Sequence, residues 1–119
     1  MPGQGGGLST RHAGLIQRVR DAVLESDGAT APGLRRLVEA RTAALGGRPR
    51  ADRPDVPPEF VSLVDKIARQ AHRVTDDDIT ALRHAGHSED AIFELVVSAA
   101  LGAGLGRLER GLAALTGNA

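Results

Sequence analysis

Cysteine is absent from this 119-residue chain, and tryptophan and tyrosine are absent with it. The first absence removes disulfide staples, thiolate nucleophiles, redox dithiols and thiolate zinc sites together. Phe60 and Phe93 are the only phenylalanines, too few for the stacking platforms on which single-stranded nucleic acids lie. Net charge is lacking too: 15 basic residues meet 15 acidic ones, so no overall field draws the chain to DNA or to an anionic membrane. The start, MPGQGGGLSTRHAG, has no apolar signal core, and no run approaches the roughly 18 apolar positions of a membrane span. These exclusions lead to the expectation of a cytoplasmic protein without membrane or nucleic-acid partners.

What is present organises around Ser88 to Leu115, SEDAIFELVVSAALGAGLGRLERGLAAL. No charged residue falls between Glu94 and Arg107, and glycine recurs at 102, 104 and 106, where a helix ordinarily avoids it. Ser88 caps this helix, with Glu89 and Asp90 in its first turn. Glu94, Ser98, Gly102, Gly106 and Arg110 fall four apart and share one face, where small residues let another backbone approach closely. Apolar side chains cover most of the remaining circumference. That pattern predicts a core helix that also builds a subunit interface, through Phe93, Val97, Ser98, Leu101, Gly102, Leu105 and Gly106.

The other elements are expected to be helical as well, which makes the fold class all-α with about five helices. A flexible glycine-rich tail is expected over residues 1–8 and a single helical domain over 9–119. Within that domain lie a helical pair at 9–46, a proline-rich connector at 47–58 and a three-helix unit at 59–116. The first helix starts at Ser9 or Thr10 and carries Leu15, Ile16, Val19, Ala22 and Val23 at helical spacing. Thr30 is the expected N-cap of the second, with Pro32 in its first turn and a stripe of Leu34, Leu37, Val38, Ala44 and Leu45. Pro58 opens the third, whose stripe is Phe60, Val61, Val64, Ile67, Ala68 and Ala71. Thr75 caps a short fourth helix with Asp78 at its third position, and Gly86 ends it. Charge is divided unevenly, with 8 basic and 4 acidic residues through Arg50 and 7 against 11 beyond it. Opposite signs suit docking of the two halves, the alternative being two solvated faces.

Chemistry-bearing residues are few. His84 and His87 bracket the Gly86 turn and would need Asp76 or Glu89 to complete a metal site; helix capping and solvation account for them without one. Asp76, Asp77 and Asp78 are explained by the helix dipole and cap. No metal or cofactor is therefore assigned. His72, at the end of the third helix, is the acid/base candidate, and Glu94, one turn into the apolar helix, is its expected partner for proton transfer. Arg73, or Arg107 of a neighbouring subunit, is an alternative partner for that carboxylate. A helix-turn-helix rhythm in ITALRHAGHSEDAIFEL suggests DNA binding, but the second helix opens with Glu89-Asp90 and continues apolar, which is wrong for a phosphate-lined groove.

From Val74 to Leu115 the run VTDDDITALRHAGHSEDAIFELVVSAALGAGLGRLERGLAAL resembles the C-terminal part of alkylhydroperoxidase D-like and carboxymuconolactone decarboxylase-like proteins. The match lies in a short helix ending at an "lr.aG" turn, a Ser-capped helix start and a long helix rich in small residues. The resemblance implies packed helical hairpins and a homo-oligomer, a trimer or larger ring. It also implies a Cys-x-x-Cys peroxidase centre, which this chain lacks. The expected function is a non-redox oligomerisation or accessory protein, with a small-molecule ligand left open. The alternative is a cysteine-free lyase or proton-transfer enzyme of the decarboxylase type, using His72 and Glu94.

Overall fold

The computed structural model describes residues 2–50, 52 and 54–117, with side chains from residue 11 onward. Its elements in chain order are α1 (Pro2–Leu24), α2 (Pro32–Leu45), α3 (Pro58–Gln70), a 3-10 turn (Ala71–Arg73), α4 (Asp76–His84) and α5 (Glu89–Leu115). Among the described residues there are five α-helices and no strand, so the fold is all-α. Helix α1 begins well before Ser9; residue 1 and the side chains of the expected tail at 1–8 lie outside what is described.

Local signals set most helix ends. Pro58 occupies the first turn of α3, where its missing N–H would be unpaired anyway. In α4 the Asp78 carboxylate reaches back to the Thr75 backbone N–H at 2.9 Å, completing a capping box. It also meets Lys66 Nζ at 2.8 Å, which ties α4 to α3. Gly86 takes φ +103°, its N–H donating to Arg83 O while that of His87 donates to Leu82 O. This is the pairing of a Schellman C-terminus. Ser88 accepts from the Ala91 N–H at 3.1 Å and starts α5.

Two expectations about α2 need correction. Its N-cap is Ala31, not Thr30, whose polar groups are engaged elsewhere. Its most buried face is Arg35, Val38, Glu39, Thr42 and Ala43, rotated from the predicted leucine stripe; Leu45 is exposed. The partner explains the rotation. Gly102 of α5 sits against the Glu39 carbonyl and the Thr42 hydroxyl, and Gly106 sits against the Ala43 backbone. A seam this close takes small and polar residues, while Leu34 and Leu37 pack sideways against the apolar core.

That core comprises Val38, Val56, Phe60, Leu63, Val64, Leu82, Ile92, Leu95 and Ala99. Leu63 joins the predicted α3 stripe, and Ala71 leaves it because α3 ends at Gln70 and tightens into the 3-10 turn. The connector is pinned as well as stiff. Arg41 grips Asp65 through Nε and Nη2 at 2.7 and 2.9 Å and Asp55 through Nη1 at 2.7 Å, next to buried Val56.

These pairs join the basic first half to the acidic second half, as do Arg48–Glu109 and Arg35–Glu94. The charge asymmetry is therefore spent on docking within the chain. Helix α5, contrary to the reading of its sequence, is long and apolar enough to cross a membrane by length and composition, at a mean hydropathy of 1.6. Half of that window is buried inside the protein.

Candidate functional site

Glu94 lies in the second turn of α5, and the turn joining α1 to α2 closes over its carboxylate. The Ala29 N–H donates to Oε2 at 2.6 Å; the Thr30 N–H and hydroxyl donate to Oε1 at 2.8 and 2.6 Å. Gly28 makes room, since a Cβ there would stand 2.5 Å from Glu94 Oε2. The Thr30 hydroxyl above all, aided by the two backbone donors and Arg35, holds the Glu94 carboxyl below its ordinary pKa against the opposing effect of burial.

Arg35 is the second member of the site and is only 2% exposed. It gathers the carbonyls of Val23, Ser26 and Thr30 at 2.7, 2.5 and 3.1 Å, thereby capping the end of α1. Its Nε stands 3.9 Å from Glu94 Oε1, too far for a hydrogen bond, and has no other partner. Beside these two residues opens a cleft of ≈120 Å³, lined by Val23, Ser26, Asp27, Arg35, Phe93, Glu94 and Val97. Phe93, 66% exposed, stands at this cleft. A second cleft, between α2 and the connector, is smaller, at ≈30 Å³.

The expected proton-transfer pair is not assembled. His72 is exposed in the 3-10 turn, and none of the hydrogen bonds to the Glu94 carboxylate comes from it. Arg107 donates to the Ala68 carbonyl at 2.6 Å, at the end of α3. His84 is exposed. His87 is more than a solvated turn residue: its Nε2 meets Glu59 Oε2 at 2.9 Å and its ring packs on Phe60 at 4.8 Å. Among the described residues no group of three or more His, Asp or Glu is disposed to hold a metal ion.

Of the residues expected at a subunit interface, Ser98, Gly102, Leu105 and Gly106 are buried within the chain. Helix α2 occupies the glycine seam, so that face is closed to a second copy. Val97 and Leu101 are half-buried, and Phe93 alone of the seven is open.

A second polar cluster links four segments through Glu39, which is 1% exposed. Arg48 Nη1 donates to Glu39 Oε1 at 2.9 Å and clasps Glu109 through Nε and Nη2 at 2.8 and 2.6 Å. Arg20 of α1 donates to Oε1 through Nη2 at 3.3 Å, and its Nε stands 3.2 Å from Oε2 as a charge contact without hydrogen-bond alignment.

Sequence reasoning missed Gly28, Thr30 and Arg35 as partners of Glu94. The available signal was the spacing of Arg35, Glu39 and Thr42 with Val38, one helical face on which polar residues recur. Fold and site together define an all-α protein in which the Glu94 carboxylate of α5 is held by the turn between α1 and α2. No protein-family model matches the chain, and no curated protein or solved structure matches it.

Proposed function

We propose that the chain is a non-redox accessory module, similar in kind to alkylhydroperoxidase D-like proteins, that works in the cytoplasm by associating with copies of itself. The carrying observation is the distribution of exposed large apolar side chains. Leu15 and Val19 lie on α1, and Phe93, Leu108 and Leu115 lie on α5, leaving only Leu45 elsewhere among the described residues. Leu115 is 83% exposed, and half of the apolar window of α5 lies outside the chain's own core. Such surface favours burial against a partner. The interface proposed is the C-terminal half of the outer side of α5, around Leu108 and Leu115, with α1 beside it, in place of the occupied glycine seam. Three or more copies is the number that the family resemblance suggests.

A proton-transfer enzyme is the weaker reading. General acid–base work favours a group whose pKa lies near the working pH, whereas Glu94 is shifted the other way and already accepts three hydrogen bonds. Sedimentation velocity at micromolar concentration tests the proposal: wild-type protein is expected to sediment as an oligomer and Leu108→Glu as a smaller species. A wild-type monomer would overturn it.

A further inference from the structure

We propose that the α1–α2 turn is a carboxylate receptor whose tethered occupant is Glu94, and that a small organic monocarboxylate with an apolar body competes for it from the adjoining cleft. The receptor has the parts an anion site requires. Two backbone N–H groups, those of Ala29 and Thr30, converge with the Thr30 hydroxyl just ahead of α2, a helix of 14 residues whose N-terminus favours negative charge. Gly28 keeps the approach open, because any Cβ there would collide with the carboxylate.

The independent pointer to a ligand is Arg35. Only 2% of its side chain is exposed, and its Nε–H has no hydrogen-bond partner. That donor faces Glu94 Oε1 across 3.9 Å, a gap the tethered carboxylate leaves while it holds the Ala29 and Thr30 donors. A carboxylate free of that tether can settle closer and take the unused donor. A buried donor left unmade is costly, so the exchange favours the free ligand at this atom.

Exchange is nearly neutral in the other electrostatic respects, since one carboxylate replaces another on the same donors. Glu94 is itself partly exposed and can turn to solvent when displaced. The apolar body of the ligand then meets Val23, Val97 and Phe93 in a cleft of ≈120 Å³. Asp27, also at the cleft, disfavours a second negative charge, which selects monocarboxylates over dicarboxylates.

The test uses isobutyrate on the full chain. In Glu94→Ala, isobutyrate is expected to raise Tm with concentration while sodium chloride at equal ionic strength does not, and the amide signals of Ala29 and Thr30 shift saturably. Wild type is expected to show the same two shifts at a concentration about tenfold higher, because its tethered carboxylate competes at high effective concentration. Equal response of Glu94→Ala to isobutyrate and chloride would overturn the proposal, as would unmoved Ala29 and Thr30 amides in wild type. If Glu94→Ala does not fold, the wild-type titration decides alone. Adding Arg35→Met to the folded variant is expected to abolish the preference for isobutyrate.

Discussion

Gly102 of α5 lies directly against the Glu39 carbonyl of α2, and no space remains between them for a Cβ. The two halves of the chain meet at this contact, one contributing a missing side chain and the other a backbone oxygen. Helix geometry places Gly106 one turn further along, against Ala43. Gly104 faces away, and a methyl group there would meet nothing within 4 Å.

The three glycines therefore respond in opposite directions to alanine. Gly102→Ala and Gly106→Ala force α2 outward and are expected to cost about 1–3 kcal/mol each, the range of overpacked sites. Gly104→Ala adds helix propensity without collision and is expected to stabilise by about 0.5–1 kcal/mol. Urea denaturation midpoints distinguish the two classes; a destabilised Gly104→Ala would contradict the assignment of faces.

Glu39 anchors charges from α1 and the connector while almost fully buried. Glu39→Ala leaves Arg48 with Glu109 but strips Arg20 of its contact and opens a polar void. A loss of about 1–3 kcal/mol is expected, because the arginines left behind are partly exposed and Arg48 keeps Glu109. Replacing Arg48 by Met in the same background should be less than additive, which a double-mutant cycle reads directly.

Acid should weaken the latch at Glu94. Its folded pKa lies below the ordinary 4.5, so its contribution is complete above that pH and disappears as pH falls through the folded value. Asp55, through the Val56 N–H and then Arg41, and Glu109, through Arg48, are shifted the same way. Tm is therefore expected to decline below about pH 4.5 in wild type, and Glu94→Gln should start lower and decline less steeply over that window. Parallel Tm curves for the two proteins would show that Glu94 carries no linked proton.

Ser88 offers a local test of how α5 begins. Ser88→Ala removes the acceptor for the Ala91 N–H and is expected to cost about 1 kcal/mol. Circular dichroism during thermal unfolding measures it, and an unchanged Tm would mean that the helix starts elsewhere.

How far the sequence reached depended on the range of the interaction. Pro32, Pro58, Thr75 with Asp78, Gly86 and Ser88 each act within a few residues, through φ restriction, side-chain capping or left-handed backbone. Their elements were legible for that reason, and the close-packing face of Ser98, Gly102 and Gly106 was legible from its spacing. The identity of what packs there was not. A glycine seam accepts any helix that comes close, and chain connectivity together with paired charges brought α2 to it ahead of a second subunit.

The site divides in the same way. By itself the sequence determined that thiol chemistry is excluded, that the protein is helical, and that the carboxylate of Glu94 borders the uncharged stretch of its longest apolar segment. Only the tertiary structure decided which donors that carboxylate meets. The Ala29 and Thr30 N–H groups belong to every residue's backbone and leave no mark in a sequence, and Arg35 became a buried partner because α2 turned its polar face inward. Desolvation requires that each buried charge find a partner, and the partner is selected by three-dimensional proximity.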